Sequence, residues 1–306
     1  MRRSFTLPNE AQQEIRRSDS NRSVACWSGL GKCERGKEEW IVNIVVLLKQ
    51  TPDTESVIRI AKDGRTVATE GIKWIINPYD EFAVEAALRL REQHSGQVTI
   101  VSWGPQRVVE SVRTALAMGA DSGVLIDDDA LAESDSLGVA RALAAAVKEL
   151  APDVILCGSR AVDYDLGQRG PMVADLLGLP HLALAVAIQS DGSKITVDRP
   201  IEGGKVTVEA DLPAVVTLGG SHAVWNPRYA SLPGIMKAKK KPLAMKKLVD
   251  LGLNPDDCGG GATKIHITSL EMPAERAPGR IVNGGLDAAG KAKELVRLLH
   301  EEARLI

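Results

Sequence analysis

Short apolar runs alternate with helix-like segments through the first half of this chain, and that alternation leaves few folds open. The runs are Ile41 to Lys49, Val98 to Ser102, Gly123 to Ile126 and Asp153 to Leu156. Each is short and mostly apolar, as strands buried on both faces are. Helical patterns follow them, over Asp80 to Glu92, Arg107 to Met118, Leu137 to Leu150 and from Met172 to Leu177. In the first, Phe82, Ala83, Ala86, Ala87 and Leu90 recur at helical spacing. Asn77 and Pro78 stand where cap and first-turn residues belong, and Gly119 closes the second helix. The order predicts an α/β fold: a mostly parallel twisted sheet with helices on both faces and right-handed crossovers.

Beyond Pro180 the pattern changes. Ala183 to Gln189, Lys194 to Arg199 and Lys205 to Glu209 read as strands of an antiparallel addition, turning at Asp191-Gly192 and Gly203-Gly204. Pro213 to Leu218 is apolar again and returns to the main sheet. A hairpin is expected around Asp63-Gly64, from Val57 to Ile60 and Thr66 to Ala68. A short helix is expected over Leu232 to Lys240, a strand over Thr263 to Ile267, and a terminal helix over 288–303. Three regions result. Residues 1–40 show no lasting period and are expected to be a disordered N-terminal extension, with Val42 an alternative start of translation. Residues 41–249 form the main domain. Residues 250–306 form a C-terminal arm whose helix clasps another subunit.

The formal net charge of -2 leaves no global field to draw nucleic acid or lipid, and no apolar run approaches a bilayer span. The four cysteines, Cys26, Cys33, Cys157 and Cys258, have neither disulfide-scaffold nor structural-metal spacing. A cytoplasmic, metal-free protein is the expectation.

Chemistry concentrates between Cys157 and Pro171, where the chain leaves one strand and enters a helix. Open α/β sheets bind ligands at the carboxyl ends of their strands. Backbone amides and a helix start there suit a phosphate, Arg160 or Arg169 adds positive charge, and an acid or amide reads a ribose or base. The bland alternative is a polar surface turn. The motifs of dinucleotide-binding enzymes, nucleoside triphosphatases, zinc proteases and serine hydrolases are missing. No catalytic residue is assigned, and a nucleotide-binding protein that works through partners fits better.

Three stretches, Val45 to Lys49, Ile76 to Glu85 and Arg113 to Asp121, together with Ala161-Val162-Asp163-Tyr164-Asp165 and the string from Asn226 to Lys241, resemble the β subunit of electron transfer flavoprotein. The resemblance covers about residues 42–306. It implies a heterodimer with an α subunit, with FAD held mainly by α and covered on one side by β. It also implies an adenine nucleotide in β, which is AMP in ordinary members and a second FAD in electron-bifurcating members that oxidise NADH. Residues assigned to the cofactors are Leu47, Asn77, Trp103, Ala161, Asp163, Tyr164, Asp165, Gly167, Gln168, Arg169 and Gly170, with Tyr79 at the aromatic position beside the α-bound flavin. Pro171 leans towards the bifurcating group, the Trp74-to-Asn77 approach leans towards the ordinary one, and Arg169 belongs to neither, so AMP and FAD both stay open.

The string from Arg228 through Tyr229, Leu232, Pro233, Ile235 and Met236 to Lys237 resembles the family's recognition loop, which docks on acyl-CoA dehydrogenases through a leucine matched here by Leu232. Arg228 and the lysines beyond are expected to aid encounter with an acidic partner. Electrons would pass on to a quinone reductase (the ETF-quinone oxidoreductase) or another acceptor. A stand-alone adenine-nucleotide sensor of similar fold is the reading from another class.

Overall fold

The computed structural model describes residues 41–305 apart from 221, 222, 276, 277, 283 and 284. The expected N-terminal extension, 1–40, lies outside the described residues.

Seven strands form one sheet in which every pairing is parallel: β1 (Val42–Leu47), β4 (Gly96–Trp103), β5 (Ser122–Ile126), β6 (Val154–Gly158), β7 (His181–Ala185), β11 (Ala214–Leu218) and β12 (Leu243–Lys246). Their order is β12-β5-β4-β1-β6-β11-β7. The chain builds outward from β1 through β4 to β5, then crosses back to place β6 on the other side of β1. The strand order therefore reverses between β1 and β6. Among the described residues the α-helices are α1 (Pro78–His94), α2 (Val108–Met118), α3 (Ser136–Leu150), α4 (Arg169–Leu177), α5 (Leu232–Ala238), α6 (Pro255–Cys258) and α7 (Ala288–Glu301). Val45, Leu47, Val101, Ile126, Ile155 and Val215 pack with the buried alanines of α3 and with Val173 and Ala174 of α4. Alanine on α3 lets it lie close to the sheet while favouring the helix.

The antiparallel addition is present as β8 (Ala187–Ser190), β9 (Lys194–Ile201) and β10 (Gly204–Asp211). It begins later than expected. The single strand expected over Ala183 to Gln189 is two strands, and its first half, β7, pairs parallel with β11 at the edge of the main sheet. Leu184 takes a positive φ of 59° there, and the Val186 N–H turns away to donate to Asp198 O at 2.8 Å. A bulge at such a point lets one apolar run serve two sheets.

Other expectations change as well. Around Asp63-Gly64 only the bridge between Ile60 and Val67 forms, because Asp63 Oδ1 instead accepts from the Arg65 and Thr66 amides in a tight local turn. Gln50–Pro52 (β2) and Trp74–Ile76 (β3) make the antiparallel pair that closes this excursion. Thr263 to Ile267 is not a strand. The Thr263 hydroxyl donates to Glu133 O at 2.8 Å and Lys264 N–H donates to Asp135 Oδ2 at 2.8 Å, so this chain is pinned to the start of α3. Packing thus continues past the expected boundary at 249: Cys258 is fully buried in the α3 core that also holds Leu248. β12 had no signal of its own; it is a short mixed run, LAMK, completed only by pairing with β5. On α7, Leu295 and Val296 stand exposed and no residue is buried.

Candidate functional site

A cleft of about 820 Å³ opens at the carboxyl ends of β1, β4 and β6, beside the point where strand order reverses. The 158–169 loop forms one wall, faced by Lys49, Gln50, Trp74, Trp103, Arg107 and the residues leading into α3. The volume lies within the usual range for small-molecule sites.

Two residues at the start of α1 assemble it. Asn77 occupies the N-cap position, as expected, but its side chain caps nothing in the helix. Its Nδ2 donates to Arg160 O at 2.9 Å and its Oδ1 accepts from Val162 N at 3.2 Å. The carboxamide thereby stitches the loop to the helix. Asp80, 1% exposed, accepts from Lys49 N and from Gly158 N, both at 2.8 Å. These amides stand where β1 and β6 end, and a buried carboxylate satisfies both. Burial pushes the Asp80 carboxyl above its ordinary range, against the pull of Arg169 and the donated N–H groups. The joint is tight: a Cβ on Gly158 would lie 2.5 Å from Tyr79 Cβ and 2.7 Å from Asp80 Oδ1.

Beyond Gly158 the loop turns back through Asp165 and Gly167, at φ 54° and 63°. Lys49 pairs with Asp163 and lies near the rings of Tyr164 at 5.0 Å and Trp103 at 5.9 Å. Burial lowers the Lys49 pKa, partly offset by Asp163. Arg169 opens α4, one turn earlier than the sequence suggested, and stacks on Trp103 at 4.1 Å. Among the described residues, that ring is the direct contact of its guanidinium, and no ion pair or hydrogen bond accompanies it. Burial pushes its pKa down; Asp80, Cys157 and Asp163 act only through the field. Gln168 sits at the N-cap of α4 without capping it, and its buried Oε1 has no partner. A helix start with free amides, an unpaired guanidinium and an orphaned carboxamide oxygen is a set of groups suited to a phosphorylated ligand.

Of the residues assigned from sequence, Trp103, Ala161, Asp163, Tyr164, Asp165, Gly167, Gln168 and Arg169 line the cleft. Asn77 lies behind the loop it holds. Leu47 does not reach the cleft: at the end of a central strand its side chain points into the core and is fully buried. Gly170 lies beneath the first turn of α4, where a Cβ would meet Thr217 Cγ2 at 2.3 Å. Tyr79 stands outside the cleft wall, its ring against Gly220 and 5.3 Å from the Arg160 guanidinium. Lys49, Trp74 and Arg107 were missed. Arg107 stacks on Trp74 at 3.9 Å, and only the folding of β3 towards α2 brings that pair together.

A family model described as the electron transfer flavoprotein domain matches residues 64–250. An electron transfer flavoprotein subunit beta from Bacillus subtilis is 39% identical over 266 residues, spanning 87% of this chain and 100% of the relative. Subunits of the same name from Homo sapiens and Bos taurus are 39% and 40% identical, over 84% and 83% of this chain and 99% and 98% of their own. The chain belongs to the electron transfer flavoprotein β-subunit family. Its role is that of the family: electron shuttling within a heterodimeric flavoprotein, with a part in flavin binding. Among the described residues, no helix is long and apolar enough to cross a membrane, and no cluster of His, Cys, Asp or Glu is placed to hold a metal.

The segment expected from the sequence to be a recognition loop, Arg228 to Lys237, leads into α5. Ser231 caps that helix by accepting from Gly234 N at 3.1 Å, and Pro233 follows in its first turn. Tyr229 is 97% exposed and Leu232 76%, with Ile235, Met236 and Lys237 also at the surface. Arg228 differs from expectation: its guanidinium is not free but paired with Glu85 and Glu92 on α1. Lys241 is likewise engaged, donating to Leu116 O at 2.9 Å and Ala120 O at 2.5 Å at the end of α2. Lysine there suits the helix dipole.

Proposed function

We propose that this chain binds an adenine nucleotide in the cleft and covers one face of an FAD held by an α subunit. It would pass electrons from a flavin dehydrogenase, of the acyl-CoA dehydrogenase kind, to a quinone reductase or other acceptor. The observation that carries the nucleotide reading is the unpaired Arg169 guanidinium at the uncapped start of α4, beside the orphaned Gln168 Oε1. Arg169 and the α4 amides would take phosphate oxygens, Gln168 a hydroxyl or amino donor, and Trp103 and Tyr164 offer rings to a base. Asn77 and Asp80 would keep these groups in place. Tyr79, outside the cleft, would stand against the flavin held by α. Exposed apolar residues on α7 support its packing on the α subunit.

The ordinary carrier, with AMP in the cleft, is the reading preferred. The bifurcating alternative draws support from one observation: the cleft continues past Trp103 to Thr54, Trp74 and Arg107, leaving room beyond a mononucleotide. A second FAD there would supply hydride exchange with NADH. The deciding experiment is the flavin and nucleotide content of the protein co-purified with its α partner. One FAD and one AMP per heterodimer supports the ordinary carrier. Two FAD, with flavin bleached by NADH, replaces it with the bifurcating reading. A heterodimer without nucleotide in β removes both, and a β subunit stable and nucleotide-bound alone would favour the sensor.

A further inference from the structure

Arg228 stands just before the exposed apolar residues of the recognition segment, and its contacts run inward. Its Nε donates to Glu85 Oε2 at 2.7 Å and its Nη2 to Glu85 Oε1 at 3.1 Å. A second fork reaches Glu92, from Nη1 to Oε1 at 2.6 Å and from Nη2 to Oε2 at 3.3 Å. The Arg228 backbone N–H adds a bond to Glu85 Oε2 at 3.2 Å. One cation thus faces two carboxylates, so little positive field is left to project towards a partner. The Glu85 side chain is only 2% exposed, and it also accepts from Arg89 Nε at 2.7 Å. A carboxylate so buried needs its partners in place, and two planar forks admit one orientation of the guanidinium.

The other end of the segment is fastened as well. Arg113 Nη1 donates to Ala238 O at 2.6 Å and to Lys241 O at 2.7 Å. Gly234 lies so close to α2 that a Cβ would be 2.4 Å from Ala117 O. Between these two anchorages Tyr229, Leu232 and Met236 project into solvent. An exposed apolar knob on a rigid base loses little freedom on binding, which favours affinity without new contacts.

We propose that Arg228 is a positioning residue: its double fork onto Glu85 and Glu92 sets the pose in which Leu232 is offered to an apolar pocket on the partner dehydrogenase. It acts through geometry and not through long-range attraction. This inference rests on the docking reading of the segment and goes beyond it, because it assigns the affinity to an intramolecular clamp on α1.

The test uses the heterodimer with its α partner and follows reduction of its flavin as the concentration of an acyl-CoA dehydrogenase is varied. Four variants are compared: Arg228→Lys, Arg228→Gln, Glu92→Gln and Leu232→Ala. Lysine keeps the charge and loses the forks. The expected result is that Arg228→Lys raises KM about tenfold, as much as Arg228→Gln does, with kcat and cofactor content unchanged. Glu92→Gln, which weakens only the exposed fork, raises KM about threefold, corresponding to ~0.7 kcal/mol. The salt dependence of the reaction stays as in the wild type, and amide exchange across 229–236 quickens in both Arg228 variants. Adding Arg228→Lys to Leu232→Ala costs nothing further, because the knob being posed is gone. A wild-type KM in Arg228→Lys, with a weaker salt dependence in Arg228→Gln, would establish steering and overturn the proposal. Unchanged amide exchange in Arg228→Lys would also overturn it. If Leu232→Ala is impaired while Arg228→Lys is not, the positioning role alone fails. If Leu232→Ala is silent, the docking reading fails and the positioning role goes with it.

Discussion

Replacing Gly158 by alanine tests the joint on which the cleft depends. Gly158 ends β6, and its N–H donates to Asp80 Oδ1 at 2.8 Å. A Cβ there would sit 2.5 Å from Tyr79 Cβ, 2.7 Å from Asp80 Oδ1 and 2.8 Å from Tyr79 C, whereas ordinary contact begins at 3.4 Å. Two of the three atoms belong to the first turn of α1 near its backbone, so no flexible side chain can swing aside. The turn must retreat by about 0.9 Å to restore contact distance, which carries Asp80 out of good hydrogen-bond range of β6. Overpacking costs ~1–3 kcal/mol if the joint holds. Losing a hydrogen bond to a charged group costs ~1.5–3 kcal/mol if it yields. Across the two routes the destabilisation is ~1–3 kcal/mol, a fall of ~2–12 °C in Tm for a domain of this size. The assay is thermal unfolding of the heterodimer. Gly204→Ala serves as control, since nothing lies within 4 Å of its Cβ position. The backbone-entropy gain of alanine over glycine, ~0.5–1 kcal/mol, is shared by both variants. Equal Tm values for the two would refute the reasoning that the close approach of β6 and α1 is a structural requirement.

Arg169→Met should weaken nucleotide binding by ~1.5–3 kcal/mol, about 10- to 150-fold, while the nucleotide-free heterodimer keeps its stability, because the guanidinium it removes has no ion pair to lose; equilibrium dialysis and unfolding curves read the two effects separately, and a loss of stability with unchanged affinity would contradict the assignment. Asn77→Leu removes both bonds to the 160–162 backbone and should free the loop to proteolysis and lower nucleotide retention at least about tenfold, as read by limited digestion and by nucleotide content after gel filtration. At the β8–β9 turn, amides of Lys194 and Ser193 hold the Asp191 carboxyl down to about 2, from an ordinary 3.8. A depressed carboxyl stabilises the fold above its unfolded value and loses that contribution as pH falls through the folded one, so stability should decline between about pH 4 and pH 2. In Asp191→Ala that part of the acid-unfolding profile should flatten; an unchanged profile would show that the turn does not contribute.

Much of this molecule could be read from its residues, and the misses share a cause. The buried strands β1, β4, β5 and β6 and the helices between them carry their own periodicity, so they were legible locally. The loop between Cys157 and Pro171 was legible as a cleft wall because a polar, glycine-rich loop between an apolar strand and a helix is itself a local pattern, whereas the choice of single residues within it came from the family resemblance. Arg107 and Trp74 were not, since 33 positions of chain separate two residues whose planes meet only after β3 folds back towards α2. Asp80 carried no sign of its task either. An acidic residue in the first turn of a helix is ordinary, and nothing in its neighbours announces that its carboxylate will serve amides 31 and 78 positions away. Arg228 was misjudged for the same reason: as a residue in a basic string it suggests an outward charge, and only the placement of Glu85 and Glu92 along α1 turns it inward.

The sequence by itself determined which segments become strand or helix through the α/β half, that the sheet is mostly parallel, and that a polar, glycine-rich loop follows β6. Those outcomes follow from hydrophobic period, helix-start chemistry and the helical crossovers that parallel strands require. Tertiary structure alone decided where one apolar run divides between two sheets at Val186, which poor strand sequence becomes β12, and which charged groups are left facing the cleft without an ion pair. Each of these depends on what stands opposite in space. A strand edge accepts whatever backbone reaches it, and a cation is free only when folding has brought no carboxylate within reach. Arg169 and Arg228, alike in sequence as arginines beside glycine- and proline-containing turns, end in opposite settings because one faces an open cleft and the other faces two glutamates.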